Sequence, residues 1–253
     1  MALNLKGYGS GLQFLVMDWI TTQPIAHRGL HRGQAIPENS LLAFEAAIIA
    51  GHPIELDLQL LADGELAVFH DKTLNRLTGQ PGSIGQQTLA SLKQYRLYHS
   101  DQTIPCLAEV LALINGRVPV LLEIKSQGRV GPLETALLKT LRTYRGEFAV
   151  QSFNPLSLQW FHRHAPEIRR GQLSSGFRRT SIPWYLGTVH NPLLLNWVSQ
   201  PHFIAYDLKA LPNACTTMLR EVCHLPLITW TVRDRKDQAR AQCYADNYIF
   251  DAF

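Results

Sequence analysis

Ile54-Glu-Leu-Asp-Leu-Gln-Leu60 alternates apolar and polar side chains without a break. A strand sends alternate side chains to opposite faces, so Glu55 and Asp57 share one face and the leucines take the other. Two acids side by side on a mostly apolar strand repel each other and are costly to desolvate. A bound cation is the simplest remedy, and the surrounding sequence has the other parts of such a site. His27-Arg28-Gly29 precedes the strand, and His70-Asp71 and Glu123-x-Lys125 follow it.

Outward from this strand, short apolar runs alternate with helical patterns. Residues 24–26 read as a strand ending at His27. Ser40 caps a helix over 41–50 that Gly51 closes. After a turn at 62–65, residues 66–69 read as a second short strand ending at His70. Further strands are predicted at 119–124, 148–151, 202–206, 226–232 and 248–250, with helices at 107–114, 133–144, 156–164, 214–222 and 235–244. Repeated strand–helix units imply a parallel sheet with helices outside it. About eight such units in 253 residues favour a closed (β/α)8 TIM barrel, an α/β fold, over a doubly wound sheet. No glycine-rich dinucleotide fingerprint or G-x-x-x-x-G-K-[ST] loop argues for the open sheet. Residues 1–23 read as a lead-in segment and 24–253 as one domain, with a small insertion after the second strand. Residues 174–201 hold Trp184, Tyr185 and Trp197 without a clean period. They read as a barrel helix with an elaborated loop, or else as a lid, an oligomer contact or an interfacial patch.

His27, Glu55, Asp57, His70, Glu123 and Gln151 each lie on or just past a predicted strand. In a parallel barrel the strand C-terminal ends converge on one face, where sites form. Three carboxylates make a hard oxygen shell that suits one Mg2+ or Ca2+ and not zinc. Three carboxylates set against a divalent ion, Arg28 and Lys125 leave a single positive charge, which one phosphodiester cancels. Histidine titrates near neutrality, so His27 and His70 can serve as acid and base on either side of the phosphorus. Asp71 reads as a local helper or a turn residue, and His31 as surface or substrate rim.

The charge of +4 and pI near 8.9 are mildly basic, which suits a small anionic substrate. Basic residues occur in pairs and not in runs, so nucleic acid is not an expected partner. The apolar patch at 12–17 is too short for a membrane span and lacks a cleavage site. The four cysteines show no C-x-x-C spacing, and free thiols point to the reducing cytoplasm.

The ordered motifs Ile25-Ala-His-Arg-Gly29, Pro37-Glu-Asn-Ser40, Glu55-Leu-Asp57, Phe69-His-Asp71, Leu121-Leu-Glu-Ile-Lys125, Val150-Gln-Ser-Phe153 and Thr229-Trp-Thr-Val232 resemble the glycerophosphodiester phosphodiesterase family. They run from about residue 24 to 250, and the span between His70 and Leu107 is similar to that of the compact cytoplasmic enzymes. The resemblance implies a TIM barrel of the PLC-like phosphodiesterase superfamily, working in lipid and glycerol metabolism. The implied reaction is metal-dependent hydrolysis of glycerophosphodiesters to sn-glycerol 3-phosphate and an alcohol. Carried over by motif, Glu55, Asp57 and Glu123 hold one divalent cation, Mg2+ or Ca2+, and His27 and His70 are the acid–base pair. Arg28 and Lys125 bind phosphate, Glu38 and Asn39 support the site, and Gln151 and Trp230 line the substrate pocket. The sequence departs from the family at Ser40, where threonine is usual, and in the tail 248–253, where Phe250 bears on the pocket floor. Two other readings remain at this point: a phospholipase D-like lyase acting on lysophospholipid head groups, and an idle barrel used for binding. The expected partner is a small glycerophosphodiester, with no stable membrane span and with homo-oligomerisation left open.

Overall fold

The computed structural model describes residues 18–126, 129–176 and 192–253. Eight parallel strands close a barrel: β1 (Ile25–Ala26), β2 (Ile54–Leu60), β4 (Val120–Ile124), β5 (Phe148–Ser152), β6 (Arg170–Ser174), β7 (Phe203–Asp207), β8 (Leu227–Val232) and β9 (Asn247–Phe250). Each pairs with the next, and β9 returns to β1 through Ile25↔Ile249 and Ala26↔Phe250. The expected TIM barrel is therefore present.

Two strands differ from expectation. β3 (Leu66–Val68) is not a barrel strand: it folds back antiparallel on the outer end of β2, with Leu58 opposite Val68. The barrel strand β6 had no strand predicted for it. Its sequence, Arg-Gly-Gln-Leu-Ser, lacks an apolar run because the polar side chains bind backbone. Arg170 donates to the carbonyls of Pro166 and Ile168, and Gln172 Nε2 donates to those of Ser152 and Leu173.

The alternation of β2 turns its apolar residues outward and Glu55 and Asp57 into the barrel. Ile54, Leu56 and Leu58 join Val120, Leu122 and Val150 in a layer under the outer helices. Those helices include α2 (Leu41–Ala50), which follows the short helix α1 (Trp19–Thr22), and the helices Leu107–Ile114, Pro132–Leu141 and Pro155–His164; they contribute Phe44, Val110, Leu137 and Phe161. The second core lies inside the barrel and contains Ile25, Leu121, Ala149, Phe203, Ile228 and Ile249. The short helix Trp19–Thr22 adds Trp19 and Ile20 to this inner core. Asn247 Nδ2 ties it down by donating to the carbonyls of Ile20 (2.8 Å) and Gln23 (2.6 Å). The barrel thus has an apolar floor, and the polar residues of β2, β4 and β5 sit above it.

The insertion after β2 carries β3 and the one-turn helices Asn75–Thr78 and Leu89–Leu92. It has its own core of Leu61, Phe69, Leu74, Leu77, Leu92 and Ile104. That separate packing presents His70 and Asp71 to the barrel mouth. On the other side of the mouth, Gly29 lies so close to α2 that a Cβ there would meet the Ala43 carbonyl at 2.7 Å, and its φ is +78°. Only glycine fits that approach and that backbone.

Candidate active site

Register brings the acids together. Asp57 on β2 lies opposite Glu123 on β4, which lies opposite Gln151 on β5. Glu55 sits one layer deeper, beside Leu121 of the apolar floor. All three carboxylates are buried, Glu55 and Asp57 to 1% exposure and Glu123 to 7%. Each offers an oxygen within 4.8 Å of the others.

Their ionisation is unequal. Burial pushes Asp57 up, but Lys125 Nζ at 3.0 Å and Arg28 Nε at 3.2 Å outweigh it and hold this carboxyl well below its ordinary value. Asn39 Nδ2 donates to it as well, at 2.8 Å. Glu123 pairs with Lys125 at 2.6 Å, yet burial and the charge of Asp57 push it up to about 7. Burial, Asp57 and Glu123 also raise Glu55 well above its ordinary value, although it accepts from the Arg28 amide at 3.1 Å. Protein cations therefore satisfy one of the three acids and leave two short of positive charge. An all-oxygen, doubly frustrated set of this kind fits a divalent hard cation.

Arg28 and Asn39 frame the acids with left-handed backbones, φ 54° and 55°, uncommon for residues other than glycine. The strain fixes their aim: the Asn39 amide donates to the Arg28 carbonyl while the Arg28 amide turns to Glu55. Arg28 also pairs with Glu38 at 2.6 Å, and Arg76 of the insertion grips the same Glu38 with two bonds. Burial opposes the ionisation of Glu38, but Arg76 and Arg28 together keep it below its usual range.

The two histidines stand on either side of this group. His27 Nδ1 lies 2.7 Å from Asp251 Oδ1, and His70 Nδ1 lies 2.7 Å from Asp71 Oδ1. Burial lowers both imidazoles below their ordinary value despite these carboxylates.

His27, Arg28, Glu55, His70, Glu123, Lys125, Gln151 and Trp230 all line one pocket of about 150 Å³ at the C-terminal end of the barrel. Asp57 lies beneath it, bound to Arg28 and Lys125. Glu38 and Asn39 do not reach the pocket and hold Arg28 and Asp57 from behind. Phe250 is not at the pocket floor: it packs outward against His52 and Tyr248, and its neighbour Ile249 faces in. The region 174–201 lies mostly outside the described residues. Asp251, Arg233 and Arg76 were not singled out from the sequence. The alternation of the last strand was the available signal for Asp251, since it shares the inward face with Ile249.

A larger open basin of about 740 Å³ lies at the opposite end, beside Arg220, His224 and Asp246, and has none of these residues. No helix among the described residues is long and apolar enough to cross a membrane.

The chain is similar to known proteins over most of its length. A glycerophosphodiester phosphodiesterase of Caldanaerobacter subterraneus subsp. tengcongensis is 36% identical over 231 residues, 87% of this chain and 89% of that protein. One from Bacillus altitudinis is 36% identical over 165 residues, which span 60% of this chain and 66% of that protein. Among solved structures, a phosphodiesterase of Oleispira antarctica in complex with its product sn-glycerol-3-phosphate matches with a TM-score of 0.75. Its identity is 25%, over 91% of this chain and 93% of that one. The model of the glycerophosphoryl diester phosphodiesterase family matches residues 27–248, from the first histidine to the last strand, and the chain belongs to that family.

Proposed function

We propose that this glycerophosphodiester phosphodiesterase cleaves small glycerophosphodiesters to sn-glycerol 3-phosphate and an alcohol, with His27 and His70 exchanging protons across the phosphorus. The observation that carries the reading is the convergence of two carboxylate-bound histidines, three buried acids and two cations on one pocket. Glu55, Asp57 and Glu123 are the residues that would hold one Mg2+ or Ca2+. When bound, that cation supplies Lewis-acid stabilisation of charge on the phosphoryl oxygens.

The chain's own residues do the rest. Arg28 and Lys125 line the pocket and neutralise the phosphodiester. Each histidine has Nδ1 on a carboxylate, which leaves Nε2 for the substrate. Neutral imidazole takes the proton of the attacking hydroxyl, and the partner imidazolium gives one to the departing alkoxide. Burial keeps both rings neutral near pH 7, which suits the base; the phosphodiester's negative charge favours the protonated form of the acid. Gln151 Oε1 and Trp230 Nε1 are buried without hydrogen-bond partners, an acceptor and a donor suited to the glycerol hydroxyls. All four cysteines are unpaired, which suits the cytoplasm.

The test is hydrolysis of glycerophosphocholine and glycerophosphoethanolamine, in EDTA and with Mg2+ or Ca2+ restored. Activity is expected to vanish in EDTA and return with the ion. His70→Ala is expected to lower kcat by about 10²–10⁴-fold. Turnover indifferent to EDTA sinks the cation assignment, and near-normal kcat in the variant sinks that of His70. Turnover of lysophosphatidylcholine alone would point to the lyase.

A further inference from the structure

Asp251, the carboxylate behind His27, is reached by three side chains, as many as reach Asp57 and more than the two that reach Glu38. Its Oδ1 accepts from His27 Nδ1 at 2.7 Å and lies 3.3 Å from His31 Nε2, while its Oδ2 pairs with Arg233 Nε at 3.1 Å. Backbone bonds set both ends of the first contact: the His27 amide donates to the Phe250 carbonyl, and the Asp251 amide donates to that of Val232. His27 and Arg233 line the pocket, and Asp251 does not. It reaches the reacting atoms only through His27.

At His70 the same pattern recurs with other elements. Asp71 Oδ1 takes Nδ1 at 2.7 Å, and Arg76 Nε holds Asp71 Oδ2 at 2.6 Å. One carboxylate is the next residue in sequence; the other comes from a position 224 residues away. Two imidazoles in the same chemical setting, each backed by an arginine-held carboxylate, indicate one structural solution to one requirement. Neutral histidine carries a single ring proton, and a carboxylate at Nδ1 keeps it there, leaving the Nε2 lone pair for the substrate.

We propose that Asp251 is a positioning residue for His27, fixing the imidazole as its Nδ1–H tautomer with Nε2 toward the phosphate, in the role that Asp71 fills for His70. His31 and Arg233 steady the carboxylate. His27, His31 and Asp251 also bring donor atoms within 4.8 Å of one another, a spacing a cation accepts. Arg233 already supplies positive charge there, and the 2.7 Å contact is hydrogen-bond length, so the hydrogen-bonded reading accounts for the cluster without an ion.

The proposal rests on the acid–base reading of His27, and its direct readout does not depend on turnover. In the full-length protein with 15N-labelled histidine, the His27 ring is expected to carry its proton on Nδ1; an Nε2–H tautomer in the unmodified protein overturns the proposal even where variants fail to fold. Asp251→Asn is expected to shift the ring toward the Nε2–H form. With Mg2+ saturating, its kcat on glycerophosphocholine should fall by about 10²–10⁴-fold and its KM stay within about threefold, with Mg2+ binding by calorimetry unchanged. Asp251→Glu should recover part of the loss. The charged and titratable groups around His27 are Asp251, Asp57, Arg28, His31 and Arg233, with Glu55, His70, Glu123 and Lys125 on the same pocket. Removing Asp251 removes a contribution that favours imidazolium, so the limb of the pH profile that His27 governs should move to lower pH. A kcat within about threefold of normal in folded Asp251→Asn, or an unmoved tautomer, overturns the assignment.

Discussion

Asp57 is where the cations of the site meet, since Arg28 and Lys125 both reach a carboxylate that is 1% exposed and that also accepts from the Asn39 amide. Replacing it with asparagine keeps its shape and removes its charge, which leaves two buried cations short of a partner. Breaking a buried pair in this way costs about 3–5 kcal/mol. Here the lower end applies, because Asp57 is also what pushes Glu55 and Glu123 up, and without it they ionise more readily. Asp57→Asn is therefore expected to lose about 3 kcal/mol in denaturant unfolding in EDTA, along with most of its affinity for the cation. A loss below about 0.5 kcal/mol, the scatter expected for a neutral surface change, would contradict the clamp. Asp57 was legible from the sequence because its problem is local: two acids on one strand face repel whatever the rest of the fold does. Asp251 and Arg76 have no local problem. Their partners are distant or lie in an insertion with its own core, and only barrel closure puts Asp251 beside His27. Phe250 was misjudged for a related reason, since a short last strand gives too few alternations to tell which face turns inward.

At the scale of elements, β3 and β6 show how hydrophobic pattern both helps and misleads. Leu66–Val68 has the composition of a barrel strand, but a turn of a few residues after β2 can only return antiparallel. β6 has the position of a barrel strand without the composition, because it uses Arg170 and Gln172 on backbone carbonyls and Gly171 to make room. A Cβ on Gly171 would lie 2.1 Å from the Phe203 ring, which is 1% exposed inside the barrel. Gly171 pairs with both Gln151 and Phe203, so this tight spot is directly beside the polar layer. Gly171→Ala is expected to overpack the interior at a cost of about 1–3 kcal/mol. Tm should fall by about 2–4 °C for each of those kcal/mol at this chain length. Phe203→Leu in the same chain should recover part of the loss by vacating the ring's volume. If Gly171→Ala melts with the unmodified protein, the interior has slack that the packing does not show. The elements that frame the acids were easier to read. Ser40 does cap α2, accepting from the Ala43 amide, and Gly51 closes that helix at φ 73°, so the loop carrying Glu38 and Asn39 had a fixed end in sequence as in structure.

For the whole molecule, the acid layer makes stability depend on pH and on the cation together. Without the ion, Glu123 titrates at about 7 in the fold, and Glu55 is also raised, whereas the unfolded chain ionises both near the ordinary glutamate value of 4.5. Between those values the native state binds more protons than the unfolded one, so stability falls as pH rises through the window. Asp57 works in the opposite sense. Its folded value is depressed, so its contribution is present above its unfolded 3.8 and is lost only as pH falls below that, outside the window. A divalent cation competes with the protons on Glu55 and Glu123, so its affinity rises over the pH range in which the cation-free protein weakens. An ion at about 100 times its Kd adds about 2.7 kcal/mol, and this gain should be small near pH 5 and largest near pH 8. Scanning calorimetry at pH 5, 6.5 and 8, in EDTA and in saturating Ca2+, measures it directly. Burial lowers the imidazoles of His27, His70 and His202 below 6.5, so they act the other way up to that pH. The Tm in EDTA should therefore decline from pH 6.5 to 8, and the increment from Ca2+ should grow from pH 5 to 8. Glu123→Gln in EDTA should flatten the decline, because the buried amide has no proton to lose. An increment that is constant across pH, or largest at pH 5, would mean that the three carboxylates are ionised without the cation. The repulsion visible in Glu-x-Asp on an apolar strand would then be resolved by Arg28 and Lys125 alone.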